Sequence, residues 1–269
     1  MNFDCDSIDY RFKENISSIV EIYDKYLKER NIENHEWSIN SPDSIKNAFI
    51  LDFQYRLQSI FLLIQSIDEN EQQVKILISS IHTLNRSLLE NYMTFSYIFL
   101  ETAKSLDLQD LRLKLYLRDG YITRQKFPIG SEQMWIRNHE SGLLIILGRQ
   151  IDNLIEKLNI HNQKKTLLKK WKPQYSELIK RIGIGNFWEQ ISYSYLSAHS
   201  HSLFPGLIQL IENEREFNGH FLLRSACQFT SIISSHYLNR LISIPIHLNL
   251  KLTDKQEKIY SFYYTMSCR

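Results

Sequence analysis

An all-α fold is predicted from three observations. The 269 residues include only 8 Gly and 5 Pro, where average usage gives roughly 19 and 13. So few turn formers argue against a sandwich, a barrel or a Gly-rich nucleotide-binding α/β fold. Apolar residues recur at steps of three and four through most of the chain, the period of an amphipathic helix. Hydrophobic content of 43% and charged content of 23% are those of a globular core, not of a disordered chain. The expectation is a helical bundle of about eight helices with one long central helix and no significant β-sheet. Residues 1–40 read as an N-terminal helical extension and 41–269 as the core domain.

Each element has its own local reason. Tyr10–Arg30 carries Phe12, Ile16, Ile19, Val20, Tyr23 and Leu27 on one stripe. The polar stretch Asn31–Pro42 ends in Ser41-Pro42-Asp43, a helix-start signature. The next helix, Asp43–Ile67, shows Ile45, Phe49, Phe53, Leu57, Ile60 and Ile64. Acidic residues from Asp68 to Glu71 favour the following helix N-terminus. That long helix, Glu71–Leu106, sets Val74, Leu77, Ile81, Leu84, Leu88, Phe95 and Ile98 along a heptad-like seam interrupted at Asn91. From Tyr92 to Leu100 it is apolar nearly all round, so burial on several sides is expected.

Further helices are expected at Leu108–Gln125 and Ser131–Leu158, separated by Phe127-Pro128-Ile129-Gly130. Lys164, Lys165, Lys169, Lys170 and Lys172 surround Trp171, with a break at Pro173. Such a cluster can contact phosphates and bases, so Lys169 and Lys170 are candidate ligand-binding residues; the competing reading is a solvated charged face. Gly183 and Gly185 follow no strand and read as a helix C-cap and turn, not a phosphate loop. Helices at Asn186–Ser200, Phe217–Ile244 and Thr253–Met266 complete the chain.

Charge and cysteines narrow the function classes. With 32 basic and 30 acidic residues, the net charge of +2 gives no polyelectrolyte signature. Cys5, Cys227 and Cys268 are odd in number and lack CxxC spacing, which disfavours a disulfide framework or zinc cluster. Met1–Asp9 is acidic and without an apolar segment, and the longest apolar runs are too short for a bilayer. A cytoplasmic, bacterial protein without membrane partner is expected.

Two polar segments carry the candidate site. His82, Arg86 and Glu90 are four apart along one flank of the long helix, placed by helical geometry opposite the Val74–Leu88 seam. The flank runs into Met93 and Tyr97, so an Arg–Glu pair there enters apolar surroundings. In Tyr193–Ser202, Tyr193, Ser197 and His201 share a face, and Tyr195 and His199 add a hydroxyl and an imidazole. These groups suit anion contacts or proton transfer. The spacing of His199 and His201 points them about 200° apart on a helix with no acidic residue beside them, so no metal or other cofactor is expected. The two segments are expected to pack together, with Arg86 or Glu90 within hydrogen-bonding distance, or one water, of Ser197 or His201.

The elements Arg86-Ser87-Leu88-Leu89-Glu90 and Tyr195-Leu196-Ser197-Ala198-His199-Ser200-His201-Ser202 resemble those of a bacterial all-helical family of unknown function. That family shows an Arg-Ser-x-x-Glu helix and a later Tyr-x-Ser-x-x-x-His-x-Ser element. Arg86, Glu90, Ser197 and His201 fall on those positions; His199 is outside the pattern. The resemblance covers about residues 53–210. More loosely, the chain is similar to HEPN-type helical domains, many of which are RNA-cleaving toxins or defence proteins. Their Arg-to-His hallmark has counterparts in Arg30/His35, Arg215/His220 and Arg240/His247. Composition alone gives roughly one or two such matches, so three are no signal and the site is not placed on them.

The leading expectation is a HEPN-like defence or toxin-type effector acting on RNA, a metal-independent ribonuclease. His201 would be acid or base, Arg86 the phosphate contact, Glu90 its orienting partner and Ser197 a further catalytic hydroxyl. The alternative is a non-catalytic interaction or scaffold protein in which the same residues form a buried structural network. A homodimer or a partner protein fits either reading.

Overall fold

The computed structural model describes residues 11–32, 35–39, 41–67, 71–185, 188, 193–198, 208, 219–243 and 250–268. Among these residues the fold is all-α and contains no strand. Helix α1 spans Phe12–Glu29 and buries the whole expected stripe together with Ile22 and Tyr26. It ends before Asn31, whose φ of 53° is a left-handed conformation that Asn tolerates. Helix α2, Pro42–Gln65, starts as its sequence signals. The Ser41 side chain accepts from the Ser44 backbone N–H at 3.3 Å, and Pro42 takes the first position, where no N–H is needed.

Helix α3 runs from Glu71 to Phe95 and then widens into a π turn, Ser96–Leu100. The sequence predicts a regular helix to Leu106 instead. The guanidinium of Arg112 donates to the Tyr97 carbonyl and lies 3.8 Å from the Tyr97 ring centroid, which satisfies an acceptor that the irregular turn presents. Helix α4 (Leu106–Arg124) is capped by Ser105, which accepts from Leu108 N–H. A 3-10 turn at Ser131–Gln133 leads into α5, Met134–Lys157. Short helices α6 (Lys164–Lys169) and α7 (Tyr175–Ile182) flank Pro173. Gly183, at φ 76°, ends α7 as a C-cap glycine. A helical segment covers 193–198. Helices α8 (Gly219–Ile242) and α9 (Asp254–Ser267) follow, the last with a Thr253/Gln256 capping box.

The chain divides into two compact units, one of Met1–Met93 with Tyr175–Arg269 and one of Thr94–Gln174. The sequence pattern sets residues 1–40 apart as an extension. Helix α1 lies in the first unit, where it packs on α2, α8 and α9. The polar stretch before Pro42 is the α1–α2 connection. An aromatic chain ties this unit together. Tyr23 stacks on Phe53 at 5.3 Å, Phe53 meets Tyr237 edge-on at 4.7 Å, and Tyr237 stacks on Tyr92 at 4.7 Å. Tyr23 also donates to the Ser234 carbonyl at 2.8 Å. In the second unit α4 and α5 form a hairpin. Leu111, Leu115, Ile151 and Ile155 are its core, and Leu167, Leu168 and Trp171 pack against them.

A buried polar knot fixes α3 against α8. Asn85 donates to the Ala226 carbonyl at 2.9 Å and accepts from Thr230 Oγ1 at 2.7 Å, with no exposed surface. Both halves of the amide are used. Asn85→Ala should therefore cost about 2 kcal/mol, two net hydrogen bonds of about 1 kcal/mol each. Urea denaturation checks it; an unchanged midpoint would show that the knot contributes nothing.

Candidate functional site

The candidate site begins on α3. Arg86 Nε donates to Glu90 Oε1 at 2.8 Å, one helical turn on. The side chains keep only 16% and 27% of their surface exposed, so this is a half-buried pair, not a solvated one. Arg86 Nη2 also lies 3.4 Å from Tyr193 Oη, and its guanidinium carbon is 5.5 Å from the Tyr193 ring centroid. The Tyr175 ring, from the first turn of α7, sits 5.3 Å from that of Tyr193 at an interplanar angle of 35°. One permanent cation, one carboxylate and two phenols thus share a single cluster.

The electrostatics fix the protonation states. Burial, reinforced by Glu90 and opposed by Arg86, pushes Tyr175 up to about 12. Tyr193 is raised for the same reasons, burial first and Glu90 next. Burial opposes the Arg86 charge, but Glu90 and Tyr193 outweigh it and raise its pKa. At neutral pH both phenols carry their protons and Arg86 is charged. The cluster can hold an anion, offer hydroxyl donors, and present two partly exposed aromatic faces.

The structure corrects the placement of His82. Helical geometry sets its flank opposite the packed seam, yet His82 is fully buried. Its ring meets Tyr195 edge-on at 5.1 Å and Phe229 at 6.2 Å, and Nε2 is 3.4 Å from Tyr195 Oη. Helix α3 is therefore covered on two sides. Within the seam, Ile78 and Asn85 are buried where Leu77 and Leu84 are only half-buried. Tyr195, a candidate ligand-binding residue, stacks on Phe229 at 5.4 Å and belongs to this aromatic packing.

The Arg-Ser-x-x-Glu element splits between two neighbours. Arg86 and Glu90 serve the Tyr193 side, while Ser87 Oγ accepts from Arg56 of α2. Arg56 is paired with Asp52 at 2.8 Å, and Asn91 donates to the same carboxylate at 2.8 Å. Ser197 is half-buried and lies one turn beyond Tyr193 on the 193–198 segment. His199 and His201 lie outside the described residues, as do His247 and the side chain of His220. Lys169 and Lys170 are exposed at the end of α6, in the second unit, beside Trp171. The Trp171 indole donates to Asp119 at 3.1 Å, and Lys172 Nζ is 5.3 Å from its ring centroid.

Sequence reasoning missed Tyr175. Only the break at Pro173 flagged its helix, and no periodicity links it to Arg86. Among the described residues no group of three or more His, Cys, Asp or Glu is arranged to hold a metal ion. No helix among them is long and apolar enough to cross a membrane.

The model of a family of unknown function, DUF5677, matches residues 50–220, more than half of the chain. The match spans both the Arg86–Glu90 element and the Tyr195–Ser202 element, and so bears out the family resemblance drawn from them. No curated protein and no solved structure matches the chain significantly.

Proposed function

Since the chain belongs to the DUF5677 family, whose function is unknown, we propose from the site geometry that it binds and cleaves single-stranded RNA. The observation that carries this reading is the half-buried, Glu90-oriented Arg86 beside the Tyr175 and Tyr193 rings. Recognition of single strands needs a fixed cation for the phosphate and aromatic faces for unstacked bases. Arg86 holds the phosphate, Tyr193 and Tyr175 stack, and Ser197 lies along the same face. His201 supplies acid or base without a metal. The ribose 2′-oxygen gives up its proton and bonds to phosphorus, the bond to the 5′-oxygen breaks, and that oxygen takes a proton. The products are a 2′,3′-cyclic phosphate and a free 5′-hydroxyl. In this reading the protein is a cytoplasmic defence or toxin-type effector, as the looser HEPN similarity implies.

The test combines anisotropy with a fluorescent single-stranded RNA and incubation with total RNA. Tyr193→Ala should weaken binding roughly 5- to 150-fold, the loss of one stacking contact of about 1–3 kcal/mol. His201→Ala should abolish cleavage while binding and melting temperature are kept. Wild-type protein that binds no RNA at low salt would overturn the reading. It would favour the second one, a structural network. That alternative is supported by the internal closure of Arg86 on Glu90 and by the ties of Ser87 and Asn91 to α2.

A further inference from the structure

Helix α5 buries Glu140, Leu147, Ile151 and Ile155 on one side. At 3.6 residues per turn, the opposite side is centred on Gly142, with Trp135, Asn138, Ile145, Ile146 and Arg149 all within about 60° of it. Three large apolar residues stand exposed there among Asn138, His139 and Arg149. Trp135 is 69% exposed, Ile145 60% and Ile146 50%. Single exposed apolar residues are ordinary, but three on one helical stripe mark a contact surface.

Gly142 sharpens the point. Glycine is unfavourable inside a helix, and a Cβ added at Gly142 would meet nothing within 4 Å. Packing within the chain therefore gives no reason for it. A residue without a side chain at the centre of an apolar stripe allows another backbone to come close.

The stripe is also complementary to itself. Trp135 and Arg149 stand seven residues to either side of Gly142. When two copies of α5 cross antiparallel with Gly142 on the twofold axis, Trp135 of one copy faces Arg149 of the other, twice. Each guanidinium then reaches an indole face. Such a twofold, isologous contact closes on itself. A parallel pairing would set Trp135 against Trp135 and Arg149 against Arg149, leaving like charges opposed.

We propose that the outer face of α5 is a homodimer interface, two copies crossing antiparallel at Gly142. The occupant of the face is a second copy of this chain, and the inference stands independently of the RNA reading. The Ile145 and Ile146 side chains flank Gly142 at the apolar centre, and the Trp135–Arg149 pairs lie at its two ends. The pairing of Arg149 with Trp135 at each end sets the direction of crossing.

The test is light scattering coupled to size exclusion on the full chain at tens of micromolar. The wild type should show about twice the monomer mass of 32.1 kDa. Gly142→Leu should run as a monomer with unchanged helical content and a melting temperature that is kept or raised, because the added side chain meets nothing in its own chain. Trp135→Ala should weaken dimerisation at least tenfold. Gly142→Cys, in a Cys5→Ser/Cys268→Ser background, should form a disulfide-linked dimer on mild oxidation. A monomeric wild type overturns the proposal, whether or not Gly142→Leu then lowers the melting temperature by displacing some other occupant. A dimer mass retained in both Gly142→Leu and Trp135→Ala overturns it equally.

Discussion

Between pH 6.5 and pH 4 the protein should lose about 3 kcal/mol of stability through one side chain, His236. This residue lies in α8 with 4% of its surface exposed. Its Nδ1 is 2.8 Å from Tyr92 Oη, and its ring sits 5.9 Å from that of Tyr264. Burial, with Arg240 one turn on, lowers its pKa from 6.5 to about 4, against a small opposing contribution from the Gly183 backbone. The unfolded chain takes up a proton near pH 6.5, and the folded protein resists it until about pH 4. Across that window the unfolded state binds more protons, so stability falls as the solution is acidified. A tenfold difference in proton affinity between the folded and unfolded states corresponds to about 1.4 kcal/mol, which gives the total. Urea denaturation at several pH values reads it directly. His236→Gln keeps an acceptor for Tyr92 but does not titrate, so its midpoint should fall much less steeply over the same range. Equal slopes for the two proteins would show that His236 is not the acid-sensitive group.

His236 did not stand out in the sequence, nor did its pairing with Tyr92, and the reason is general. What the sequence made legible was local. The stripe of α1, the Ser41-Pro42 start of α2 and the Gly183 end of α7 depend on periodicity and on single residues that fix a cap. What it hid was the identity of each helix's neighbours. Periodicity showed that one side of α3 is packed, but not that Tyr195 and Phe229 close over the other and bury His82. It could not show that α1 packs on α8 and α9, because those contacts join residues more than 200 positions apart. The π turn at Ser96–Leu100 is a third case. Its side chains read as a buried helix, which they are, while Arg112, which donates to a carbonyl of the altered backbone, arrives from α4. At the candidate site, Arg86 and Glu90 were visible as a one-turn pair. Tyr175 was not, since it reaches the cluster from a different helix.

The Arg86–Glu90 pair supplies the other large effect, and its asymmetry separates structure from function. Removing Glu90 takes the carboxylate from a guanidinium that keeps only 16% of its side-chain surface exposed and cannot shed its proton at any ordinary pH. Removing Arg86 takes the cation from a carboxylate that keeps 27% of its side-chain surface exposed and so stays better solvated. Breaking a fully buried pair typically costs about 3–5 kcal/mol. With 16% and 27% exposure here, about 2 kcal/mol is expected for Glu90→Ala at neutral pH, and somewhat less for Arg86→Ala. The double variant should cost clearly less than the sum of the two, because neither charge is then left alone. Urea midpoints of the four proteins give the coupling, and a value near zero would mean that the 2.8 Å contact contributes nothing. The double variant then serves a second purpose. Since it restores much of the stability lost in Glu90→Ala while lacking the cation, RNA binding that stays lost in it must be attributed to the missing guanidinium rather than to a weakened fold. Binding that returns with the stability would place the pair among the residues that hold α3 in position.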